Sequence, residues 1–280
     1  MAIGEATRWV PMKTTSNYQR ARKRFGQHFL EKAWVTKVID ALQPSPEDTF
    51  LEIGPGRGAL TKPLAPRVKR LIAVEIDRDL AAALPAALPS NVRVIQGDFL
   101  NVDLDSVFKD EAFPLRVVGN LPYNVASPIL FRLLEAADEG RRFTDATVML
   151  QKEVADRLVA QPGGDDYGGL AIQVALWADV ERLLTLPPGA FRPPPKVTSA
   201  VVRLRFKPAA ADVGDPATFE RVVRGLFLQR RKTIGNALKP VADSLGCSAA
   251  EVLERAGLDP SRRPETLTLA DMARLSRAVL

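Results

Sequence analysis

Along residues 31–42 (EKAWVTKVIDAL) the apolar positions Trp34, Val35, Val38, Ile39 and Leu42 recur at a spacing that places them on one face of a helix. Pro44 and Pro46 are expected to end it. The period then changes. Short apolar runs at 49–53, 70–75, 92–96, 115–119 and 146–151 are separated, for the most part, by helix-like stretches. Such an alternation predicts an α/β fold built on a largely parallel sheet. In 196–206, Val202, Leu204 and Phe206 alternate with Arg203 and Arg205, which predicts a half-exposed, antiparallel strand late in the sheet. After Lys207-Pro208 the pattern turns helical, through 218–228, 233–245, 249–256 and 269–280. Asp215 and Ser248 are candidate helix caps, and Gly246 and Gly257 candidate stops. The expected organisation is a segment 1–24 without apolar periodicity, an α/β domain over 25–208 and a small all-helical domain over 209–280.

Composition adds exclusions. Cys247 is the single cysteine and His28 the single histidine of 280 residues. Disulfides, thiolate metal clusters, structural zinc and Ser-His-Asp triads are therefore ruled out as readings, and no metal is expected. No apolar run is long enough to cross a bilayer and no signal peptide is evident, so a cytoplasmic location is expected. The net charge of +6 is uneven: residues 1–24 carry +5, 25–190 carry −6, and 191–280 carry +7. An acidic middle between two basic ends fits a catalytic core flanked by elements that meet a polyanion, although an Arg-rich solvated surface would look the same.

Four blocks carry the chemistry. Leu51-Glu52-Ile53-Gly54-Pro55-Gly56-Arg57-Gly58 is a strand running into a glycine turn, where Gly54 and Gly56 let backbone approach a ligand. The same spacing also suits a dinucleotide site, or a tight turn with no ligand. Glu75, about 20 residues on at the next strand end, can accept from the hydroxyls of a ribose, again for either cofactor. Asp98, in Gln96-Gly97-Asp98-Phe99, can accept from an adenine amine or can simply cap the next turn. The fourth block, Asn120-Leu121-Pro122-Tyr123, separates these readings. An adenine amine is a weak nucleophile because its lone pair is delocalised into the ring. The Asn120 side-chain oxygen and the Leu121 carbonyl can accept its two hydrogens and expose that lone pair to a sulfonium methyl. Pro122 shapes the turn, and Tyr123 offers a flat face for the base. The bland alternative is a Pro-containing turn with a core tyrosine.

Together with Phe25-Gly26-Gln27-His28-Phe29-Leu30, Phe191-Arg192-Pro193-Pro194-Pro195-Lys196-Val197 and Gln229-Arg230-Arg231-Lys232-Thr233, these blocks closely resemble the ribosomal RNA adenine N6-dimethyltransferases, in their bacterial small-subunit form. The resemblance implies a Rossmann-like class I methyltransferase sheet, mostly parallel with one antiparallel strand. It implies S-adenosyl-L-methionine as cofactor, held by His28, Leu30, Gly54, Gly56, Glu75, Asp98 and Asn120. Many relatives have asparagine at the position of His28. Phe191 would be a second aromatic wall of the target-base pocket, or else ordinary core. Arg22, Lys23, Arg24, Arg230, Arg231 and Lys232 would contact RNA, or form a solvated face. The implied substrate is a pair of adjacent adenosines in a hairpin near the 3′ end of small-subunit (16S) rRNA, methylated by a monomer without membrane or metal. A large-subunit dimethylase of the antibiotic-resistance type, a non-catalytic factor on the same fold and a nicotinamide enzyme remain alternatives.

Overall fold

A computed structural model of the chain describes residues 29–138 and 142–279. His28, Arg22, Lys23, Arg24 and the segment 1–24 lie outside the described residues. Among those described, nine strands form: β1 (Phe29–Leu30), β2 (Thr49–Ile53), β3 (Arg70–Glu75), β4 (Val92–Gln96), β5 (Leu115–Asn120), β6 (Phe143–Gln151), β7 (Ala178–Leu186), β8 (Phe191–Arg192) and β9 (Ser199–Phe206). Seven of them make one sheet in the order β4-β3-β2-β5-β6-β9-β7, and β1 pairs with β8. The pairs from β4 through to β6 are parallel, whereas β9 is antiparallel to both neighbours. This is the mostly parallel sheet with one antiparallel strand that the sequence predicts. Strands buried on both faces need no alternation, which is why Phe50, Leu51 and Ile53 of β2 are all buried.

One expectation about the sheet needs correction. β9 is not half-exposed: it lies between β6 and β7, and its Arg203 is buried, donating to the carbonyl of Ala41 and pairing with Glu181 at 3.6 Å. The polar positions that suggested a solvent face thus include a buried cation. The first helix, Lys32–Leu42, ends before Pro44, where Gln43 takes a left-handed conformation (φ 51°) and its N–H donates to the Asp40 carbonyl. That helix buries Val35, Val38, Ile39 and Leu42 in a cluster with Phe50, Leu60, Leu64, Leu71 and Val201.

The chain divides into two compact units, and the division does not follow the sequence boundary at 208. The helical unit takes Asp156–Trp177 in addition to the residues from Lys207 onward, while the sheet unit holds the described residues up to Ala155 and Ala178–Phe206. Within the helical unit, the helix Gly169–Trp177 buries Ile172 and Leu176 against Val222, Val223, Leu226, Leu253 and Leu275. The Tyr167 hydroxyl donates to the Leu267 carbonyl at 2.8 Å, and burial pushes this phenol up to about 12. Asp215 caps the helix Pro216–Leu228 through the Thr218 N–H at 2.8 Å, and Gly257 closes Ala249–Ala256 at φ 63°. Ser248 makes no side-chain cap bond. Among the described residues no helix is long and apolar enough to cross a membrane.

Candidate active site

From β2 the chain lays β3 and then β4 on one side, and later returns to place β5 on the other. Ligands of open α/β sheets bind at such a reversal, beyond the carboxyl ends of the strands. The registers Ile53↔Val74, Ile53↔Gly119, Glu75↔Gln96 and Asn120↔Met149 bring those ends level. The glycine turn, Glu75, Asp98 and Asn120 consequently occupy one edge of the sheet.

Gly54 and Gly56 adopt φ of +70° and +57°, which L side chains rarely take, and a Cβ at either would meet no atom within 4 Å. The turn leaves open space that a side chain would fill, as a backbone cradle for a ligand requires. The Gly56 N–H donates to Glu75 Oε2 at 2.8 Å and the Asp77 N–H to Oε1 at 2.9 Å. Glu75, only 4% exposed, thereby ties the turn to the end of β3. Each of its oxygens retains a second lone pair for a ligand hydroxyl. Asp98 caps its own turn: Oδ1 accepts from the Leu100 N–H at 3.0 Å and Oδ2 from the Asn101 amide at 2.7 Å. Ile76, absent from the sequence-based set, is 48% exposed directly after Glu75. An apolar side chain kept open between two acids at a strand end suits the face of a flat heterocycle.

Glu52 was also missed. It is 2% exposed on β2, and Thr61, across the glycine turn in sequence, lies against its carboxyl. Burial raises the Glu52 carboxyl from 4.5 to about 7, with Glu75 adding to the rise and Thr61 opposing it. The folded protein therefore keeps a proton that the unfolded chain releases between pH 4.5 and about 7, and stability falls across that window as pH rises. Glu52→Gln is neutral at every pH. It is expected to melt close to wild type at pH 5 and to be more stable than wild type at pH 8 by about 2–4 kcal/mol. Denaturant titrations at the two pH values check this, and parallel pH dependences in both proteins would rule it out.

Asn120 is the last residue of β5. The Leu121 N–H donates to the Met149 carbonyl at 3.2 Å, and the Leu121 side chain is buried, so the turn starts from a fixed point. Pro122 is exposed, and its carbonyl accepts from the Val125 N–H at 3.1 Å as the chain enters the helix Ala126–Asp138. Half-buried Tyr123 places its hydroxyl 2.7 Å from Ser199 Oγ. Ser199 had no signal in the sequence, because its partner is 76 residues away.

Other expected residues fall differently. Leu30 is buried and pairs with Phe191 between β1 and β8. Phe191 is 2% exposed within the cluster around Val38 and Leu42, so its ring presents no open face and the expected second aromatic wall is revised to core. In the helical unit, the half-exposed Arg230 donates to the carbonyls of Asp165 at 2.7 Å and Gly164 at 3.1 Å, which anchors the side chain and leaves its charge uncompensated by them. Arg231 and Lys232 are exposed.

The chain is similar to known proteins in sequence and fold. A model of the ribosomal RNA adenine dimethylase family matches residues 18–275. The chain is 48% identical over 258 residues to ribosomal RNA small subunit methyltransferase A of Chromobacterium violaceum, covering 91% of this chain and 94% of that protein. It is 45% identical over 263 residues to the protein of that name from Acinetobacter baylyi, covering 92% of each. A solved dimethyladenosine transferase from Plasmodium falciparum superposes with a TM-score of 0.75 at 26% identity, over 89% of this chain and 96% of that one. The 23S rRNA methyltransferase ErmE shares the fold with a TM-score of 0.63 at 24% identity, over 90% of this chain and 99% of that one. With the glycine turn, the strand-end acids and the Asn120–Tyr123 turn on one edge of a class I sheet, the chain belongs to the ribosomal RNA adenine dimethylase family.

Proposed function

We propose that this protein dimethylates the N6 amines of two adjacent adenosines in a hairpin near the 3′ end of small-subunit rRNA, using S-adenosyl-L-methionine. The observation that carries this reading is the Asn120–Tyr123 turn at the end of β5, beside the open glycine cradle at the end of β2. The cofactor, when bound, supplies an electrophilic methyl group on a sulfonium.

The chain's own groups do the rest by position and hydrogen bonding. Gly54 and Gly56 would form the cradle, the spare lone pairs of Glu75 would accept from ribose hydroxyls, and Ile76 would face the adenine, whose amine would donate to Asp98. Leu30 supports this side from β1. At the target base, Asn120 Oδ1 and the Leu121 carbonyl accept the two amine hydrogens, which favours pyramidalisation at nitrogen and draws its lone pair out of conjugation with the ring. Tyr123 stacks on the base. With each transfer one C–N bond forms at N6 as the S–CH3 bond breaks and its electron pair stays on sulfur, S-adenosylhomocysteine leaves as the neutral thioether, and one N–H proton, made acidic as the nitrogen becomes cationic, is given up to water. No imidazole is needed. A base must leave its stack to enter such a site, which favours a hairpin loop over a duplex. Arg231 and Lys232 offer exposed charge to RNA phosphates.

The test uses purified ribosomal subunits lacking the modification. Incubation with this protein and cofactor, followed by mass spectrometry of digested RNA, is expected to yield N6,N6-dimethyladenosine in small subunits and none in large ones. Methylation confined to large subunits would transfer the assignment to the other branch of the family. No methylation of either would leave a binding factor.

A further inference from the structure

Ser199 is the first residue of β9 and is fully buried. Its backbone pairs with Gln151 of β6 on one side and Leu186 of β7 on the other, so it is held by the sheet and not by a loop. Its hydroxyl lies 2.7 Å from that of Tyr123, which sits in the turn after β5. We infer that Ser199 is a positioning residue for the second methylation: by fixing the Tyr123 ring it holds the monomethylated base in a reactive pose. This rests on the reading of Tyr123 as the stacking face of the target base.

An unmodified adenine amine has two hydrogens, and two acceptors, Asn120 Oδ1 and the Leu121 carbonyl, orient it. After the first transfer the nitrogen carries one hydrogen and one methyl. Half of the orienting hydrogen bonds are gone, and the methyl adds bulk on the side of the lost hydrogen. Stacking then carries a larger share of the orientation than it did in the first round. A ring free to swing in the Tyr123 turn tolerates many base poses, whereas a ring bonded to a rigid strand admits few. Sites supported by regular elements keep tighter geometry than sites on loops. The Tyr123–Ser199 bond supplies that support, and its loss should fall mainly on the second methyl group.

Three variants test this: Ser199→Ala, Tyr123→Phe and the double. The two single variants remove the same bond from opposite ends. Tyr123→Phe leaves the interior of the sheet untouched, so it remains informative should Ser199→Ala fold poorly. Each is assayed on unmethylated small subunits alongside wild type, with the ratio of monomethyl to dimethyl adenosine read over time and cofactor affinity measured separately. Each single variant is expected to raise that ratio by about three- to tenfold, the range for losing one hydrogen bond. Affinity for the cofactor should stay unchanged, and the double variant should be no worse than either single one, as for two partners of one interaction. Wild-type product ratios in Tyr123→Phe, or additive effects in the double, would overturn the inference. Absence of dimethyladenosine with the wild-type protein would instead sink the functional reading beneath it.

Discussion

Replacing Asn120 by alanine lowers kcat for adenosine methylation by about a hundred- to a thousandfold, the range for deleting one preorganised hydrogen-bonding group at a reacting centre. The loss should fall on kcat more than on KM. The contact matters most as the amine nitrogen gives up its conjugation, and an interaction made mainly in the transition state affects turnover. Asn120 ends a strand whose neighbours on both sides are parallel and buried, so the alanine variant keeps its backbone. Glu75 and the glycine turn lie on other strands, so calorimetry should still detect cofactor binding. Stopped or single-turnover assays on small subunits check the rate. A variant as active as wild type would remove Asn120 from the chemistry.

The other large effect is on stability and sits at the opposite end of the same strand. Arg116 on β5 is held at 2.8 Å by Asp145 and at 2.9 Å by Asp48, and donates to the carbonyls of Leu42 and Gln43 where the first helix ends. Its guanidinium also lies 4.9 Å from the centre of the Phe50 ring. Burial opposes this charge, and Asp145 and Asp48 outweigh the opposition, so the group stays protonated beyond the ordinary arginine range. Arg116→Met leaves two carboxylates and two carbonyls without their donor. Breaking a buried pair from one side costs about 3–5 kcal/mol. At about 2–4 °C per kcal/mol for chains of this size, that lowers the melting temperature by roughly 6–20 °C. Adding Asp145→Asn, which removes the stranded charge, should recover part of the loss. Differential scanning calorimetry of the single and double variants decides it: equal melting of Arg116→Met and wild type would show the clamp to be dispensable.

The parts of the molecule that the sequence discloses are those with a local cause. β2, β3, β5 and β6 are buried strands that continuous apolar runs name, and the edge strand β4, only partly buried, still carries a short apolar run. Asp215 and Gly257 work through their own neighbours, and so does the glycine turn. β7 escaped because it is an edge strand whose register shifts between Arg182 and Leu184, which breaks the alternation that would reveal it. The helix Gly169–Trp177 is apolar on all sides and shows no helical period to read. For the site, residue type located Asn120, Tyr123, Glu75 and Asp98, because their chemistry is bound to strand ends. It could not tell a ring in the core from a ring in a pocket, as at Phe191, or show that the chain's own carbonyls anchor a cation, as at Arg230. Ser199 and Glu52 matter through contacts that exist only after folding.

The helical unit draws on two stretches of chain that are far apart in synthesis. Tyr167 must wait for Leu267, 100 residues later, before its hydroxyl finds an acceptor. At translation speeds of about 5–20 residues per second, Ile172 waits about 2.5–10 s for Val222 and about 5–20 s for Leu275 after it is made. During that interval the nascent protein carries an oily, unfinished segment amid an otherwise completable sheet. A chaperone that shields such a stretch would have its clearest task here, and a chain released early would keep that surface bare for good.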